Sequence, residues 1–194
     1  MAAGEPGREG ATAGSPRGRL ADLKAAPNLL SLLRLGLVPV VLWLVAGEER
    51  AWAVAVLLAM ALTDGLDGFV ARRTGRVTEL GKVLDPLADK VAVDSVLLFL
   101  AVRGEFPVWA LSVVLGRDVA IGAAAVLVAR RIGGAPSSNL IGKAAFVSLA
   151  ALAIIFLADL QALEAASLAV ALVLVAASSV SYWIGARSLL GGRT

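Results

Sequence analysis

The sequence predicts an all-α, polytopic membrane protein with six transmembrane helices. Three observations carry that expectation. Of its 194 residues, 59% are hydrophobic, and the mean hydropathy of +0.85 lies far above that of a soluble globular chain. Six apolar runs approach the length of about 20 residues that a helix needs to cross the hydrocarbon core. The charges between those runs alternate in sign preference from one break to the next, as they do in a chain threaded back and forth through a bilayer.

The elements follow in order. Residues 1–19 (MAAGEPGREGATAGSPRGR) are rich in Gly, Ala, Pro and charge. They hold too little apolar surface to pack and are expected to form a disordered tail. The first apolar run begins near Asn28 and is too long for the core of a signal peptide. Before it, GRLADLKAAP has the pattern of a short interfacial helix, with Leu20 and Leu23 toward lipid. Six spans are then expected at 28–47, 51–72, 80–103, 107–131, 140–160 and 165–187, so that residues 20–194 make one membrane domain. The breaks between them are GEER, RRTGR, RGEFP, RRIGGAPSSN and DLQALE. Pro86 is tolerable near the start of the third span, where little of the hydrogen-bond ladder is lost.

Six spans divide the polar segments into two sets. One set carries Arg8, Arg17, Arg19, Lys24, Arg72, Arg73, Arg76, Lys82, Arg130, Arg131, Lys143, Arg187 and Arg193. The other carries Arg50 and Arg103 beside Glu48, Glu49, Glu105, Asp159 and Glu164. Basic residues concentrate on the cytoplasmic side of a membrane protein. Both termini and the break between spans two and three are therefore expected in the cytoplasm, in an inner or cell membrane. Removing any one span would scramble this alternation.

The chain has no cysteine and no histidine. No thiolate or imidazole is present to attack a substrate, bind zinc or move a proton. A bound metal would need oxygen ligands, which favours Mg²⁺, Mn²⁺ or Ca²⁺, and a general base would have to be a carboxylate, a lysine or a tyrosine. The acidic residues that stand out are in DGLDGFVARRTGRVTELGKVLDPLADK, residues 64–90. Asp64 and Asp67 are spaced i, i+3 and Asp85 and Asp89 i, i+4, so each pair shares a helical face. A hairpin of spans two and three would bring the four carboxylates together. Like charges near hydrocarbon are costly unless neutralised. A pair of divalent ions about 3.5–4 Å apart would relieve that repulsion and offer a seat for phosphate oxygens. Gly68, Ala71 and Gly81 leave room for a ligand to approach, and Arg72 supplies a fork suited to a phosphate. The competing reading has the aspartates merely pairing with Arg72, Arg73, Lys82 and Lys90 at the membrane surface.

The string Asp64-x2-Asp67-Gly68-x2-Ala71-Arg72-x8-Gly81-x3-Asp85-x3-Asp89 resembles the complete signature of the CDP-alcohol phosphatidyltransferases, with all eight positions filled at the usual spacing. The six-span layout, with the motif between spans two and three, is similar too. The resemblance implies transfer of a phosphatidyl or similar group from a CDP-linked donor, here CDP-diacylglycerol, to an alcohol acceptor with release of CMP. It implies Asp64, Asp67 and Asp85 as metal ligands assisted by Asp89, Asp89 as general base, and Gly68, Ala71, Arg72 and Gly81 with Asp67 at the CDP end. Two Mg²⁺ or Mn²⁺ ions, a homodimer and surrounding membrane lipids are implied as partners, and no nucleic acid. LGKVLDPLADK resembles members that use glycerol 3-phosphate and also cardiolipin synthases, while RDV at 117–119 and SYWIGARSLL at 181–190 lean toward the latter. Phosphatidylglycerophosphate synthesis is the expectation, with cardiolipin synthesis close beside it and an acceptor such as inositol phosphate behind.

Other charges lie within the spans. Asn28, Ser31 and Arg34 fill places where similar members carry Asn, a hydroxyl residue and Arg. Arg34, about 10 Å along its helix, could reach a substrate phosphate or an aspartate. Arg34, Arg130, Arg131, Lys143 and Arg187 are candidate contacts for an anionic acceptor, although a cytoplasmic basic bias predicts several of them anyway. Asp94 and Arg117 sit at equal depth, about 20 Å along antiparallel spans, and are expected to form a buried ion pair. A cation- or proton-coupled transporter is the alternative of another class, since it too would use intramembrane carboxylates. No broken helix at mid-membrane supports it.

Overall fold

The computed structural model describes residues 26–74, 81–132 and 140–191. Within these, the side chains of 26–30, 64–74, 81–85, 127, 129–132, 186 and 188–191 lie outside the description. The described residues form α1 (Ala26–Ala46), α2 (Arg50–Thr74), α3 (Gly81–Val102), α4 (Val108–Ile132), α5 (Leu140–Leu157) and α6 (Gln161–Gly191). These are the six expected helices. The proposed tail and interfacial helix at 1–25 fall outside the described residues.

The helices form because each apolar run satisfies its own backbone hydrogen bonds, which hydrocarbon cannot do for it. α4, α5 and α6 contain stretches long and apolar enough to span a membrane: Val108–Val126, Leu140–Leu157 and Gln161–Gly185. Shorter apolar stretches, Ser31–Ala46 and Arg50–Thr63, lie in α1 and α2. In α3 the apolar run is interrupted by Asp85, Asp89, Lys90 and Asp94. Pro86 is the sixth residue of α3, just beyond the first turn, whose N–H groups need no helical acceptor.

Three reversals join the helices at one end of the bundle, and all use the same device. In each, one residue adopts a left-handed conformation: Glu48 (φ 63°), Gly104 (φ 77°) and Asp159 (φ 52°). Its own N–H bonds back three residues and the next N–H bonds back five. The longer bonds are Glu49 to Leu44 at 2.9 Å, Glu105 to Leu100 at 2.9 Å and Leu160 to Ile155 at 3.1 Å. This is the Schellman motif, which satisfies carbonyls left open at a helix end. It explains why α6 starts at Gln161 rather than near 165: Asp159 reverses the chain so tightly that QALE belongs to the next helix. Trp43, Trp52 and Trp109 are exposed near this turn end, where an indole can sit between acyl chains and headgroups.

α3 lies at the centre, packed against α1, α5 and α4, while α6 lies along α5 and also against α4. The buried stripe of α1 is Ser31, Arg34, Val38, Val41 and Val45. Its alternating steps of three and four are the spacing of a left-handed coiled-coil seam. α3 answers with Ala88, Ala92, Val96, Leu97 and Leu100, and α5 with Leu149, Leu152, Phe156 and Leu157. Phe106 and Phe156 close the turn end edge to face, with ring centroids 4.9 Å apart. Outward positions carry Leu62, Val102, Val119, Val147 and Val173, an apolar exterior suited to lipid. The six-helix bundle is thus a membrane protein with a packed interior and a greasy coat.

Candidate functional site

The end opposite the turns carries the aspartate motif. α2 bears Asp64, Asp67, Gly68, Ala71 and Arg72, and α3 bears Gly81, Asp85 and Asp89. Of these, the side chain of Asp89 is described and the other seven lie outside the described side chains. Among the described residues, α2 and α3 do not pack extensively on each other; α1 lies against both, and so does α5. The close side-by-side hairpin expected of spans two and three is thus not seen among the described residues, where α1 and α5 each contact both helices instead.

Asp89 sits eight residues into α3, about 12 Å from its start. Its Oδ1 accepts a hydrogen bond from Nη1 of Arg34. The side chains are 17% and 6% exposed. Arg34 occupies a seam position of α1, so its side chain must enter the bundle, where Asp89 awaits it. The aspartate within its reach on sequence is thus one that Arg34 meets. A carboxylate so placed is fixed in direction by a charge-assisted hydrogen bond.

Beside this pair runs a second set of charges. Lys90 Nζ lies 3.2 Å from Asp94 Oδ2 on its own helix and also bonds Asp118 on α4. Asp118, only 6% exposed in its side chain, takes Nη1 of Arg117 at 2.6 Å through its other oxygen. Arg117 then reaches Ser178 on α6. The expected Asp94–Arg117 pair does not form. Equal rise along two helices sets depth but not azimuth, and Lys90, one turn below Asp94 on the same face, is the nearer cation. The two positive and two negative groups of this chain neutralise one another, which hydrocarbon demands.

The remaining sequence candidates are less engaged. Lys143 and Arg187 are exposed, and neither makes an ion pair with a described residue. Arg130 and Arg131 lie outside the described side chains, as does Asn28, while Ser31 is buried beside Arg34 on the seam. Sequence reasoning placed Lys90 as a surface partner and passed over Ser178. Lys90 could have been found as the cation four residues before Asp94; Ser178, one of several serines in AASSVS, gives no such signal. No group of three or more acidic residues that could hold a metal occurs among the described side chains.

The turn end holds charges of a different kind. Arg103 bonds Glu48 and, at 2.8 Å, Glu105; Arg50 lies 3.0 Å from Glu105 and 3.6 Å from Glu48. Hydrogen bonding and attraction from Arg103 hold the Glu48 carboxyl below its ordinary range, and bonding to Glu105 and Glu48 raises Arg103. A shallow groove of about 380 Å³ opens here between Glu105, Phe106, Phe156 and Glu164. It lies at the far end from the aspartate motif and belongs to the turn network.

The class that the fold defines is a helical membrane protein whose end opposite the turns carries the aspartate motif. Residues 24–180 match the family model of the CDP-alcohol phosphatidyltransferases, and the chain belongs to that family. Over 129 residues it is 36% identical to a cardiolipin synthase (CMP-forming) of Streptomyces coelicolor, covering 63% of this chain and 60% of that protein. It is 36% identical over 123 residues to a probable phosphatidylglycerophosphate synthase of Mycobacterium tuberculosis, covering 59% of this chain and 56% of that protein. A CDP-diacylglycerol–glycerol-3-phosphate 3-phosphatidyltransferase of Aquifex aeolicus is 52% identical over 65 residues, 34% of this chain and 36% of that protein. The chain thus spans about three fifths of the length of the first two relatives.

Proposed function

We propose that this protein transfers the phosphatidyl group of CDP-diacylglycerol to glycerol 3-phosphate, giving phosphatidylglycerophosphate and CMP. The observation that carries this reading is Asp89: the last aspartate of a complete eight-position signature, lodged inside the bundle against Arg34. The acceptor's hydroxyl oxygen forms a new bond to the phosphorus that bears diacylglycerol, and the bond from that phosphorus to the oxygen of CMP breaks. Asp89 receives the hydroxyl proton, which a carboxylate within hydrogen-bond reach can do. Arg34 keeps it aimed.

Asp64, Asp67 and Asp85, with Asp89 assisting, would hold two Mg²⁺ or Mn²⁺ ions. The donor chemistry fits: oxygen ligands alone, in a chain without His or Cys. When bound, the ions supply charge neutralisation at the diphosphate and the leaving phosphate. Gly68, Ala71, Arg72 and Gly81 shape the donor's CDP end. Arg130, Arg131, Lys143 and Arg187 belong to the cytoplasmic ends and are candidates for drawing in an anionic acceptor. The six helices all span the membrane in this reading, with residues 20–194 as one domain, both termini and the aspartates cytoplasmic, and the chains paired as a homodimer.

A second acceptor has a specific basis. Relatives named as cardiolipin synthase and as phosphatidylglycerophosphate synthase are equally similar at 36% identity, so phosphatidylglycerol is the alternative acceptor. The deciding experiment gives purified protein CDP-diacylglycerol, Mg²⁺ or Mn²⁺ and one acceptor at a time. Release of CMP with glycerol 3-phosphate and its abolition by EDTA is the expected result. Release with phosphatidylglycerol alone reassigns the acceptor, and release with neither acceptor nor any related alcohol refutes the transferase reading.

A further inference from the structure

The charged chain beside Asp89 does more than neutralise itself. Asp89 and Lys90 are consecutive, so their side chains leave α3 about 100° apart. One is bonded to α1 through Arg34 and the other to α4 through Asp118. Between them and the core, Ala88 has no exposed surface, so this turn of α3 is pressed against its neighbours with no side chain to yield. Asp118 cannot swing away, because its other oxygen is held by Arg117, which is anchored in turn on Ser178 of α6. Asp94, one turn further along α3, closes the array from the other side of Lys90. The turn carrying Asp89 is therefore gripped from α1 on one side and from α4 and α6 on the other. Rotation of α3 about its axis at this level would break bonds on both sides at once.

We infer that Lys90 and Asp118 are positioning residues for the transfer reaction: their ion pair fixes the azimuth of α3 so that the Asp89 carboxylate points at the acceptor's hydroxyl. Neither touches substrate. The inference rests on the reading of Asp89 as the proton acceptor, and it assigns a function to a lysine that a surface-pairing account leaves idle. Three features favour positioning over simple cross-linking. The array begins at Lys90, the residue next to Asp89, and runs inward from there to Asp94 and Arg117. It joins the one described motif aspartate to helices that carry no motif residue. And it places part-buried charge, with Asp118 only 6% exposed, where apolar packing would hold helices together as well. A directional error of an ångström at a reacting group is enough to slow turnover by about a hundredfold.

The test compares Lys90→Met, Asp118→Asn, the double variant and Lys90→Arg with the wild-type protein in detergent. CMP release is followed with CDP-diacylglycerol, Mn²⁺ and the acceptor that serves the wild type. Positioning predicts that Lys90→Met lowers kcat tenfold or more while KM for the donor stays within threefold. Mn²⁺ affinity, read by electron paramagnetic resonance, also stays within threefold, because Asp64, Asp67 and Asp85 are untouched. The double variant is no slower than the worse single variant, since both break one bond. Lys90→Arg, which keeps the charge, recovers most of kcat. Unchanged kcat in Lys90→Met overturns the inference. So does loss of the folded protein in Lys90→Met, or a parallel fall of kcat, donor affinity and melting temperature, either of which marks a cross-link of the fold alone. A wild-type protein that releases no CMP with any acceptor refutes the function instead and is recognised before any variant is made.

Discussion

The two ends of this bundle use the same side chains for opposite purposes. At the turn end, Arg50 and Arg103 meet Glu48 and Glu105 in a network open to solvent, where Glu48 is 60% exposed. At the aspartate end, the contacts centre on Arg34 and Asp118, each 6% exposed in its side chain, with Asp89 and Arg117 at 17% and 20% and Lys90 more open at 33%. An exposed ion pair exchanges one good solvent for another and holds little. A buried one is costly to assemble and costlier to break, because either partner alone is left charged in a medium that cannot solvate it. The difference is one of surroundings, and under the proposed mechanism the exposed charges trim a turn and the enclosed ones aim Asp89.

Substitutions that grade this contrast by stability run from large to small. Arg34→Ala removes the cation bonded to Asp89 and should destabilise the bundle by about 3–5 kcal/mol, seen as a lowered melting temperature in detergent; Arg34→Lys should recover part of it. A loss no greater than that of Arg103→Ala would show that burial does not distinguish the two ends. Next comes the backbone of the turns. A Cβ on Gly104 would meet nothing within 4 Å, so Gly104→Ala should cost about 1–2 kcal/mol through its left-handed conformation alone. Asp159→Gly should do the reverse and stabilise by about 0.5–1 kcal/mol. If both substitutions shift the midpoint in the same direction, backbone conformation is not what limits these turns.

The smallest effects belong to the exposed charges. Arg103→Ala should lower the melting temperature slightly at low salt and not measurably at high salt. The Glu48 carboxyl, held below its ordinary range by Arg103, contributes stability above the unfolded-state value of about 4.3. That contribution disappears as pH falls through the lower folded-state value. Glu48→Gln should therefore lower stability slightly at neutral pH and converge on the wild type as acid protonates Glu48, a difference that thermal melts at neutral and acid pH would detect. A variant that loses as much stability at pH 7 as at pH 4 would assign Glu48 some other part in the turn.

The helices were legible in the sequence because hydrophobic length and charge alternation are both one-dimensional signals. Bounds moved by at most four residues, with shifts of four at both ends of α6, the first of them where Asp159 turns the chain. A left-handed aspartate is invisible to hydropathy, so QALE read as loop. Arg34 was legible as a buried arginine from its place at the start of an apolar run. The pairing of Asp94 was not. Depth can be counted along a chain, but azimuth depends on how helices roll against each other, and that is decided by packing across α3, α4 and α6 together. Lys90 illustrates the same point: one residue beyond a recognisable signature, it reads as a surface charge until α4 is placed beside it.

The account depends on the buried end being the place of reaction. The direct measurement is the rate of CMP release from CDP-diacylglycerol by the wild-type protein and by Asp89→Asn, with Mg²⁺ or Mn²⁺ and glycerol 3-phosphate, alongside Arg103→Ala as the turn-end control. The predicted result is a fall of about 10²–10⁴-fold in turnover for Asp89→Asn, with donor binding retained and the control unchanged. Substantial turnover in Asp89→Asn would contradict the assignment of Asp89 and, with it, the separation between the two ends.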